Sequence, residues 1–439
     1  MIKSIMPLSA IISLRFFGLF IVLPVISVYA MNLQGATTSI VGIIVGGYAL
    51  TQMIFQVPFG IMSDKLGRKG TIIVGLILFG LGSILCSVST DVLTLLLGRL
   101  MQGAGAIGAV VTAMISDLVK EEQRPKAMAL MGGSIAMAFA FAMILGPTLG
   151  SWFGVEFLFI ITAIIAFASI FVLLKAVPNP PKITHTYNKK GAVTSVLFNK
   201  NLIKMNITNF LQKGFMTFAF MIIPMVLINN YEWVMSDLWK VYLPATIFGV
   251  IAMAPAAILA EKKGKFKEVL IAGIIFFGIS YLLIGTASTP LAFVIGVVLF
   301  FVGFNVHEPI MQSLASKYAK VHQRGFVLGI FNSYGYFGTF LGGLLGGVFF
   351  ESVSLFDIVI AIAAICVAWA IMIFTLPNPL KKQTAYLNLE QYDKSKMTEY
   401  DNNDIIDEWY VNDTENLLII KYDIEKISED TLKDSLKIA

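Results

Sequence analysis

Residues 41–69 read VGIIVGGYALTQMIFQVPFGIMSDKLGRK. The part 41–62 is long, mostly apolar and uncharged, and the residues after it bring Asp64, Lys65, Arg68 and Lys69 together. A helix that crosses a bilayer needs about 20 mostly apolar residues, and Lys and Arg collect in the cytoplasmic loops of membrane proteins. The stretch therefore predicts a membrane-spanning helix that ends in a basic cytoplasmic loop.

The same pattern recurs along the whole chain. Of its 439 residues 57% are hydrophobic and 13% are charged, and the mean hydropathy is +0.81. Soluble domains carry about 25% charged residues, so a chain this apolar needs the lipid bilayer as part of its solvent. The apolar runs predict twelve spans: 7–30, 41–62, 71–90, 92–118, 126–152, 155–176, 203–228, 239–260, 268–287, 289–316, 325–350 and 354–376.

The loops between these spans alternate in charge. One set holds nearly all the cations, from Lys65, Arg68 and Lys69 in the first basic loop to the last such loop at 317–324. The other set carries mainly acids, and Lys240 is its only cation. The positive-inside rule and the even number of spans agree. We therefore expect both termini in the cytoplasm and a multi-pass protein of a bacterial inner membrane.

Composition also excludes several classes of protein. The net charge of +5 suits an anionic membrane surface and does not suggest a nucleic-acid partner. Cys86 and Cys366 lie in separate apolar runs, so we expect neither a disulfide nor a metal site. The sequence contains no nucleotide loop such as GxxxxGKS and no recognisable nucleophile–base pair, so we do not expect an enzyme.

A weak internal repeat divides the chain into two halves. The polar stretch 177–202, rich in Pro and Lys, separates six spans from six. Residues Pro58, Asp64, Lys65, Gly67 and Arg68 match Pro255, Glu261, Lys262, Gly264 and Lys265 at an offset of 197, and Lys120, Gln123, Arg124, Leu145 and Gly146 match residues at an offset of 200. Such a repeat is typical of two-bundle transporters. It predicts six-helix bundles at 1–176 and 203–376, joined by a cytoplasmic linker at 177–202.

Three motifs resemble those of the major facilitator superfamily. Residues 60–69, GIMSDKLGRK, resemble its motif A, and residues 98–105, GRLMQGAG, resemble its RxxQGxGA motif. Residues 145–150, LGPTLG, resemble the antiporter motif of its drug/proton exchangers. Within that group the chain resembles the YajR-type transporters along its whole length, including Arg15–Gly18, Trp239–Leu243 and Phe304–Glu308. Pro309 departs from the expected pattern, because a small residue should follow Glu308.

The resemblance implies a fold class and a mode of transport. The fold is an all-α membrane protein with 12 transmembrane helices in two pseudo-symmetric six-helix bundles, plus a small cytoplasmic α+β domain. The mode is alternating access driven by the proton motive force, with no cofactor. We expect a monomer whose partners are protons, the lipid bilayer and a small-molecule substrate.

Four ionisable positions inside the spans are the candidates for proton coupling: Glu308, His307, Arg99 and Arg15. An ionisable group in a membrane helix is costly and is retained where it faces protein or water. Low-dielectric surroundings favour the neutral form of a carboxyl group, so Glu308 is the best proton carrier. The alternatives are a permanent pair between Glu308 and Arg15 or Lys213, a structural hydrogen-bond network around Arg99, and a packing role for His307.

The motif A loop is predicted to form a conformational latch. The resemblance assigns this role to Gly60, Asp64, Lys65, Gly67, Arg68 and Lys69, with Asp117 and Arg124 as neighbours. Asp64 can cap a helix N-terminus and pair with a cation across the interface between the halves. The alternative is a short helix-breaking turn that carries positive-inside charges.

Small and polar residues supply two further groups. Gly103, Gly146, Pro147 and Gly150 permit close helix packing, and the antiporter motif implies that they seal the cavity against proton leakage. Phe and Met are abundant, which predicts an apolar, adaptable substrate cavity. Its polar lining is predicted to be Tyr48, Gln52, Gln56, Asn209, Gln212, Asn305, Asn332 and Tyr336.

The C-terminal tail, 383–439, changes abruptly to a polar and charged composition. The pattern predicts strands at 385–390, 405–411 and 417–422, a turn at 412–416, and a helix at 428–436 capped by Ser428. The expected order is strand, helix, strand, strand, helix, so a first helix should lie between the first two strands. The tail resembles the ferredoxin-like domain of YajR-type proteins, shortened at its end. The alternative is a partly ordered acidic tail.

Three functions are compatible with these features. The first is a proton-coupled antiporter that exports small, mostly hydrophobic compounds. The second is a proton symporter or facilitator for a small nutrient, and the third is a receptor-like protein whose tail signals. The Gly146–Pro147 pair favours the first, because it matches the antiporter motif.

Overall fold

The computed structural model describes residues 2–120, 123–179, 196–319, 324–378, 382–392, 397, 405–412 and 416–437. Most of the predicted linker, at 180–195, lies outside these ranges. Eight helices form the first half: α1 (Ile2–Phe20), α2 (Ile26–Met31), α3 (Thr38–Lys65), α4 (Arg68–Ser87), α5 (Val92–Ala104), α6 (Gly108–Leu118), α7 (Arg124–Phe153) and α8 (Val155–Ala176). Six form the second half: α9 (Lys200–Tyr231), α10 (Trp239–Ala257), α11 (Phe266–Thr286), α12 (Pro290–Tyr318), α13 (Arg324–Ser352) and α14 (Leu355–Phe374).

The spans have the lengths that a bilayer requires. Among the described residues, ten helical segments are long and apolar enough to cross a membrane. α1 with α2, and the glycine-rich α13, occupy the positions of the first and eleventh predicted spans. The helical membrane fold is therefore confirmed.

Two predicted spans are interrupted, which corrects the continuous helices expected there. The first, 7–30, breaks at 21–25, where Pro24 cannot donate a backbone hydrogen bond and the chain tightens into turns such as Leu23 N to Phe20 O. The fourth, 92–118, breaks between Ala104 and Gly108. A Cβ at Gly105 would collide with the carbonyl of Gly75, so the backbones approach too closely there for a larger residue. Pro309 does not end α12, which continues to Tyr318.

The loops that carry Arg68, Lys262 and Lys317 lie at one end of the molecule, here called the basic end. At the opposite end α3 of the first half packs against α13 of the second. A Cβ at Gly42 or Gly46 would collide with the backbone of Gly343 or Thr339, so only glycine permits this contact. Nearer the basic end, Gly60 of α3 has open space beside it, as do Gly325 and Gly329 of α13.

The second contact between the halves shows the same asymmetry. The ring of Phe139 in α7 lies 6.3, 6.2 and 5.6 Å from the rings of Phe220, Phe301 and Phe304 in the other half. Gly132 and Gly133, about two turns along α7 towards the basic end, have open space beside them. In the described residues the halves therefore meet at the opposite end and separate towards the basic end.

The C-terminal domain is a three-stranded antiparallel sheet with one helix. Its elements are β1 (Lys382–Asn388), β2 (Ile406–Asn412), β3 (Leu417–Asp423) and α15 (Glu429–Leu436), and the strand order is β1-β3-β2. This confirms the predicted α+β domain over the alternative of a partly ordered acidic tail. β1 ends at Asn388, two residues before the predicted end, because the Asn388 side chain accepts from the Glu390 N–H and starts a turn. The helix expected between the first two strands lies almost wholly outside the described residues.

The domain is attached to the second half through β3. Leu418, Ile420 and Tyr422 face the core of the domain, and Lys421 points the other way. Lys421 is 5% exposed, and its ammonium group donates to the carbonyls of Lys317 and Ala319, at 3.1 and 2.8 Å. A lysine suits these acceptors, because a helix C-terminus has unsatisfied carbonyls and partial negative charge.

Candidate transport site

An ion pair lies inside the second half, between α9 and α12. The Lys213 ammonium nitrogen is 3.0 and 2.9 Å from the two Glu308 carboxylate oxygens. Gln212 donates to the same carboxylate at 3.1 Å, and the Phe304 ring faces the ammonium group at 4.8 Å. Both charged side chains remain partly accessible, at 23% and 34% exposure. Of the two partners considered for Glu308, the structure therefore selects Lys213 over Arg15.

His307 faces away from this pair although it precedes Glu308. Its ring nitrogen Nε2 lies 2.7 Å from the Leu270 carbonyl, and its ring packs 5.4 Å from Trp369 and 5.7 Å from Phe277. Successive helix residues point about 100° apart, which explains the separation. The contacts are those of a packing residue, and a part of His307 in proton coupling stays a prediction.

Arg15 is fully buried inside the first half. Its Nη2 donates to Gln52 Oε1 over a long 3.4 Å, and its guanidinium carbon lies 5.2 Å from the Phe79 ring and 5.6 Å from the Phe16 ring. Nε and Nη1 have no hydrogen-bond acceptor among the described residues.

Arg99 is likewise fully buried. Its Nη1 donates to Gln102 Oε1 at 2.8 Å, and Gln102 in turn donates to Ser83 at 2.8 Å. The Tyr48 ring lies 4.6 Å from the guanidinium carbon, and the Ile44 carbonyl accepts from Nε at 3.4 Å. Nη2 has no acceptor among the described residues. The predicted hydrogen-bond network around Arg99 therefore exists, and within it only the Nη2 donor of Arg99 lacks an acceptor among the described residues.

The predicted cavity residues fall into four groups. Tyr48, Gln52 and Gln56 are spaced by four residues, so they form a buried polar stripe along one face of α3. The amides of Asn209 and Asn305 instead donate to backbone carbonyls: Asn209 bonds Phe331 of α13 at 2.7 Å and so joins two helices, whereas Asn305 bonds Phe301 within α12 at 2.8 Å. Gln212 belongs to the ion pair, and Asn332 and Tyr336 are half-buried on α13.

The latch residues form a network within the first half. Arg68 donates to Asp117 and to Asp64, both at 3.0 Å, and thereby joins the ends of α3, α4 and α6. The Asp64 side chain is 72% exposed. Gly67 adopts a φ of +81°, a conformation that favours glycine. Lys65 is exposed and Lys69 half-buried, and nothing is described of the Arg124 side chain. A contact of Asp64 with the other half stays a prediction.

Sequence reasoning missed the matching network of the second half. Glu261 pairs with Lys317 and accepts from Ser313, while the Lys317 ammonium group lies 4.5 Å from the Phe266 ring. The repeat already matched Glu261 to Asp64. The signal that went unused is the offset of 200 between Asp117 and Lys317.

The packing glycines lie where helices meet. A Cβ at Gly103 would collide with the Tyr48 carbonyl, and one at Gly146 with the Ile21 carbonyl. Gly150 has ordinary contacts, and Pro147 lies within the continuous α7. Their packing role follows from these contacts, whereas sealing against protons stays a prediction.

Comparison with known proteins identifies the family. The sequence profile of the Major Facilitator Superfamily matches residues 8–342 and 239–396. The chain is 35% identical to the inner membrane transport protein YajR of Escherichia coli K12 over 378 residues, 85% of this chain and 83% of that protein. It is 26% identical to multidrug resistance protein 2 of Bacillus subtilis over 77% of this chain and 87% of that protein.

A solved structure has the same fold. The crystal structure of a bacterial homolog of the human lysosomal transporter Spinster, in an inward-facing and occupied conformation, superposes with a TM-score of 0.66 at 12% identity. The match covers 84% of this chain and 95% of that one. With the twelve-span architecture and the YajR match, the resemblance stated from the motifs is confirmed. The chain belongs to the Major Facilitator Superfamily and is a multi-pass membrane transporter rather than an enzyme.

Proposed function

We propose that this protein is a proton-coupled antiporter, acting as a monomer, that exports small, mostly hydrophobic compounds across a bacterial inner membrane. The observation that carries the proposal is the Lys213–Glu308 pair, because it is an accessible carboxylate held inside the spans by a single cation. The proton motive force is the only energy source required.

Protonation of Glu308 is the coupling step. A proton added to a carboxylate oxygen removes the negative charge and leaves Lys213 without its counter-ion, so the contact between α9 and α12 weakens. Loss of the proton restores the pair. A proton that crosses the membrane also carries about 2.3 kcal/mol per 100 mV of potential. Exchange of substrate for protons follows if substrate and proton binding exclude each other. The substrate then binds the deprotonated pair, and protonation of Glu308 releases it at the other face.

Alternating access accounts for the separation of the halves. With the basic end and both termini in the cytoplasm, the contacts of Gly42 with Gly343 and of Phe139 with Phe304 close the periplasmic side. The conformation is then inward-facing. In the outward-facing state the motif A loop approaches the other half, where the exposed Asp64 is available to a helix N-terminus. In the inward-facing conformation Asp64 pairs with Arg68 instead.

Efflux is favoured over uptake by the Gly146–Pro147 pair in α7, which matches the antiporter motif. The similarity to multidrug resistance protein 2 supports the same direction. A proton symporter or facilitator would use the same ion pair, so the direction of substrate movement under a proton gradient distinguishes the two.

The test uses the purified protein in liposomes with an imposed proton gradient and a panel of hydrophobic solutes. We expect at least one solute to dissipate the gradient and to move against the direction of proton flow. Glu308→Gln should abolish this coupling, whereas Glu351→Gln, a matched change of an exposed acid, should leave it intact. Substrate moving with the protons indicates the symporter, and coupling that survives Glu308→Gln contradicts the proposal.

A further inference from the structure

We propose that Arg15 and Arg99 form an anion-binding site in the first half, and that the transported compounds are amphipathic organic anions. The statement on transport rests on the proposed function, whereas the statement on binding does not. Both guanidinium groups are 0% exposed, and together they leave three nitrogens without an acceptor among the described residues: Arg15 Nε, Arg15 Nη1 and Arg99 Nη2.

The two cations have no negative partner. Among the described residues no carboxylate lies within 4 Å of either guanidinium group, and the ion pairs inside this half involve Arg68 instead. An arginine stays protonated in proteins, so neutralisation by loss of a proton is not an alternative. The partners that are present are amide oxygens, a backbone carbonyl and aromatic rings.

These partners are too weak for the charge that is buried. Removing an ion from water costs more free energy, even after relaxation, than a desolvated cation–π contact returns. The hydrogen bonds at 3.4 Å add little, because they are near the limit of useful length. The two buried guanidinium groups therefore carry an uncompensated desolvation cost, and a bound anion offsets this cost.

Both cations lie along the same face of α3, so one ligand can contact both. Gln52 accepts from Arg15, and Tyr48, one turn away, covers Arg99. The remaining donor of Gln52 and the acceptor of Gln56 are also without partners in the described residues, so the polar stripe continues towards the basic end. This end is where the halves separate, and it supplies the route of entry.

The surroundings select an organic anion over an inorganic one. Leu19, Phe79 and Tyr48 form a buried cluster at the site, with Phe16, Phe20 and Tyr336 packed against it. Aromatic and aliphatic walls bind an apolar body, and the guanidinium groups bind its carboxylate or sulfonate. The second half adds no compensating negative charge, because Glu308 is neutralised by Lys213.

The experiment measures equilibrium binding of three probes to the detergent-purified full chain by titration calorimetry, without a proton gradient. The probes are 2-naphthoate, its neutral analogue 2-naphthamide, and the cation 2-naphthylmethylammonium. We expect 2-naphthoate to bind about tenfold more tightly than the other two. Arg15→Gln and Arg99→Gln should each weaken 2-naphthoate about tenfold, and Lys at either position should retain part of the affinity.

Two controls separate recognition from misfolding. Lys240→Gln removes an exposed cation at the opposite end and should leave binding unchanged. The Gln variants should melt at the same temperature as the wild type or higher, because each removes an unpaired buried charge. A lowered melting temperature together with unchanged affinity for 2-naphthoate would assign the arginines a structural role and overturn the proposal.

The remaining outcomes are equally decisive. Equal affinity for the three probes, or 2-naphthoate binding that survives both Gln variants, overturns the anion site. If chloride from sodium chloride binds with the same dependence on the two arginines and 2-naphthoate does not bind, the organic substrate class is overturned. Binding of 2-naphthoate without any transport leaves the site standing and refutes only the proposed function, whereas transport of neutral solutes without 2-naphthoate binding refutes only this inference.

Discussion

The two halves of the molecule have related helix arrangements but differ in how the charges inside them are paired. In the second half Lys213 of α9 contacts Glu308 of α12, so the two charges neutralise each other. In the first half Arg15 lies 198 residues before Lys213, and Gly108 lies 200 residues before Glu308. The offset at Glu308 equals the 200 of the repeat, so a glycine stands where the other half has its carboxylate, and the offset at Lys213 lies between the 197 and 200 of the repeat. One half therefore holds a pair of opposite charges and the other holds fixed positive charge.

The networks at the basic end differ in a related way. In the first half Arg68 bridges two acids, Asp64 and Asp117. In the second half the position corresponding to Asp117 is Lys317, which pairs directly with Glu261. The same residue also offers its carbonyl to Lys421, which attaches the C-terminal domain to the second half. The two networks thus keep an acid at corresponding positions, Asp64 and Glu261, while the charge at Asp117 and Lys317 differs in sign.

The largest expected effect comes from breaking the pair of the second half. Lys213→Gln or Glu308→Gln alone leaves one charge inside the spans and should cost about 1–3 kcal/mol, reduced from the fully buried case by partial exposure. The double variant should recover most of this stability while proton coupling stays lost. Thermal unfolding in detergent measures the difference, and additive losses in the double variant would mean that the pair stabilises nothing.

The seam between the halves supplies the next test. A Cβ at Gly42 would collide with the backbone of Gly343, so Gly42→Ala should disfavour this closed seam by about 1–3 kcal/mol. Spin labels at Asn32 and Val353, measured by pulsed electron resonance, should report a longer distance. Gly60→Ala, on the same helix but beside open space, is the matched control. An unchanged distance in Gly42→Ala would show that the seam closes without a glycine at this position.

Giving the first half the carboxylate of the second should remove the difference between them. A Cβ at Gly108 meets only the Tyr336 hydroxyl at 3.8 Å, so the position has room for a side chain. Gly108→Glu should compete with external anions and weaken 2-naphthoate binding about tenfold, whereas the neutral Gly108→Gln should weaken it less. Equal effects of the two substitutions would point to steric obstruction instead of charge.

The smallest effect is expected at the attachment of the C-terminal domain. Lys421→Ala removes two hydrogen bonds to the end of α12 and should cost about 1 kcal/mol of docking. Faster hydrogen exchange at Ala319, without a change in the α3–α13 seam, would report this loosening. Lys433→Ala changes a partly exposed lysine that pairs with Glu429 within α15 and serves as control. Identical exchange in both variants would show that Lys421 does not contribute to the attachment.

Local patterns were sufficient for the spans, the motifs and the tail. Apolar runs, alternating loop charge and the Ser428 cap each act over a few neighbouring residues, and the helices and strands appear where those patterns predict them. Helix interruptions such as the one at Pro24 could not be predicted from local patterns, because proline is tolerated within α7 at Pro147 and within α12 at Pro309. Whether a proline breaks a helix depends on what its neighbours offer to the freed carbonyl.

By itself, the sequence determined that this chain spans the membrane as two related halves and which few charges it carries inside them. Only the tertiary structure decided how those charges pair. Glu308 had two cations within reach by helix position, and the packing of α9 against α12 selected Lys213. Arg15 and Arg99 were left without a counter-ion, because the groups that contact them are amide oxygens, a backbone carbonyl and aromatic rings. Pairing depends on distances between helices far apart in the chain, and close contacts such as that of Gly103 with the Tyr48 carbonyl, in the helix that carries Arg99, help to set them.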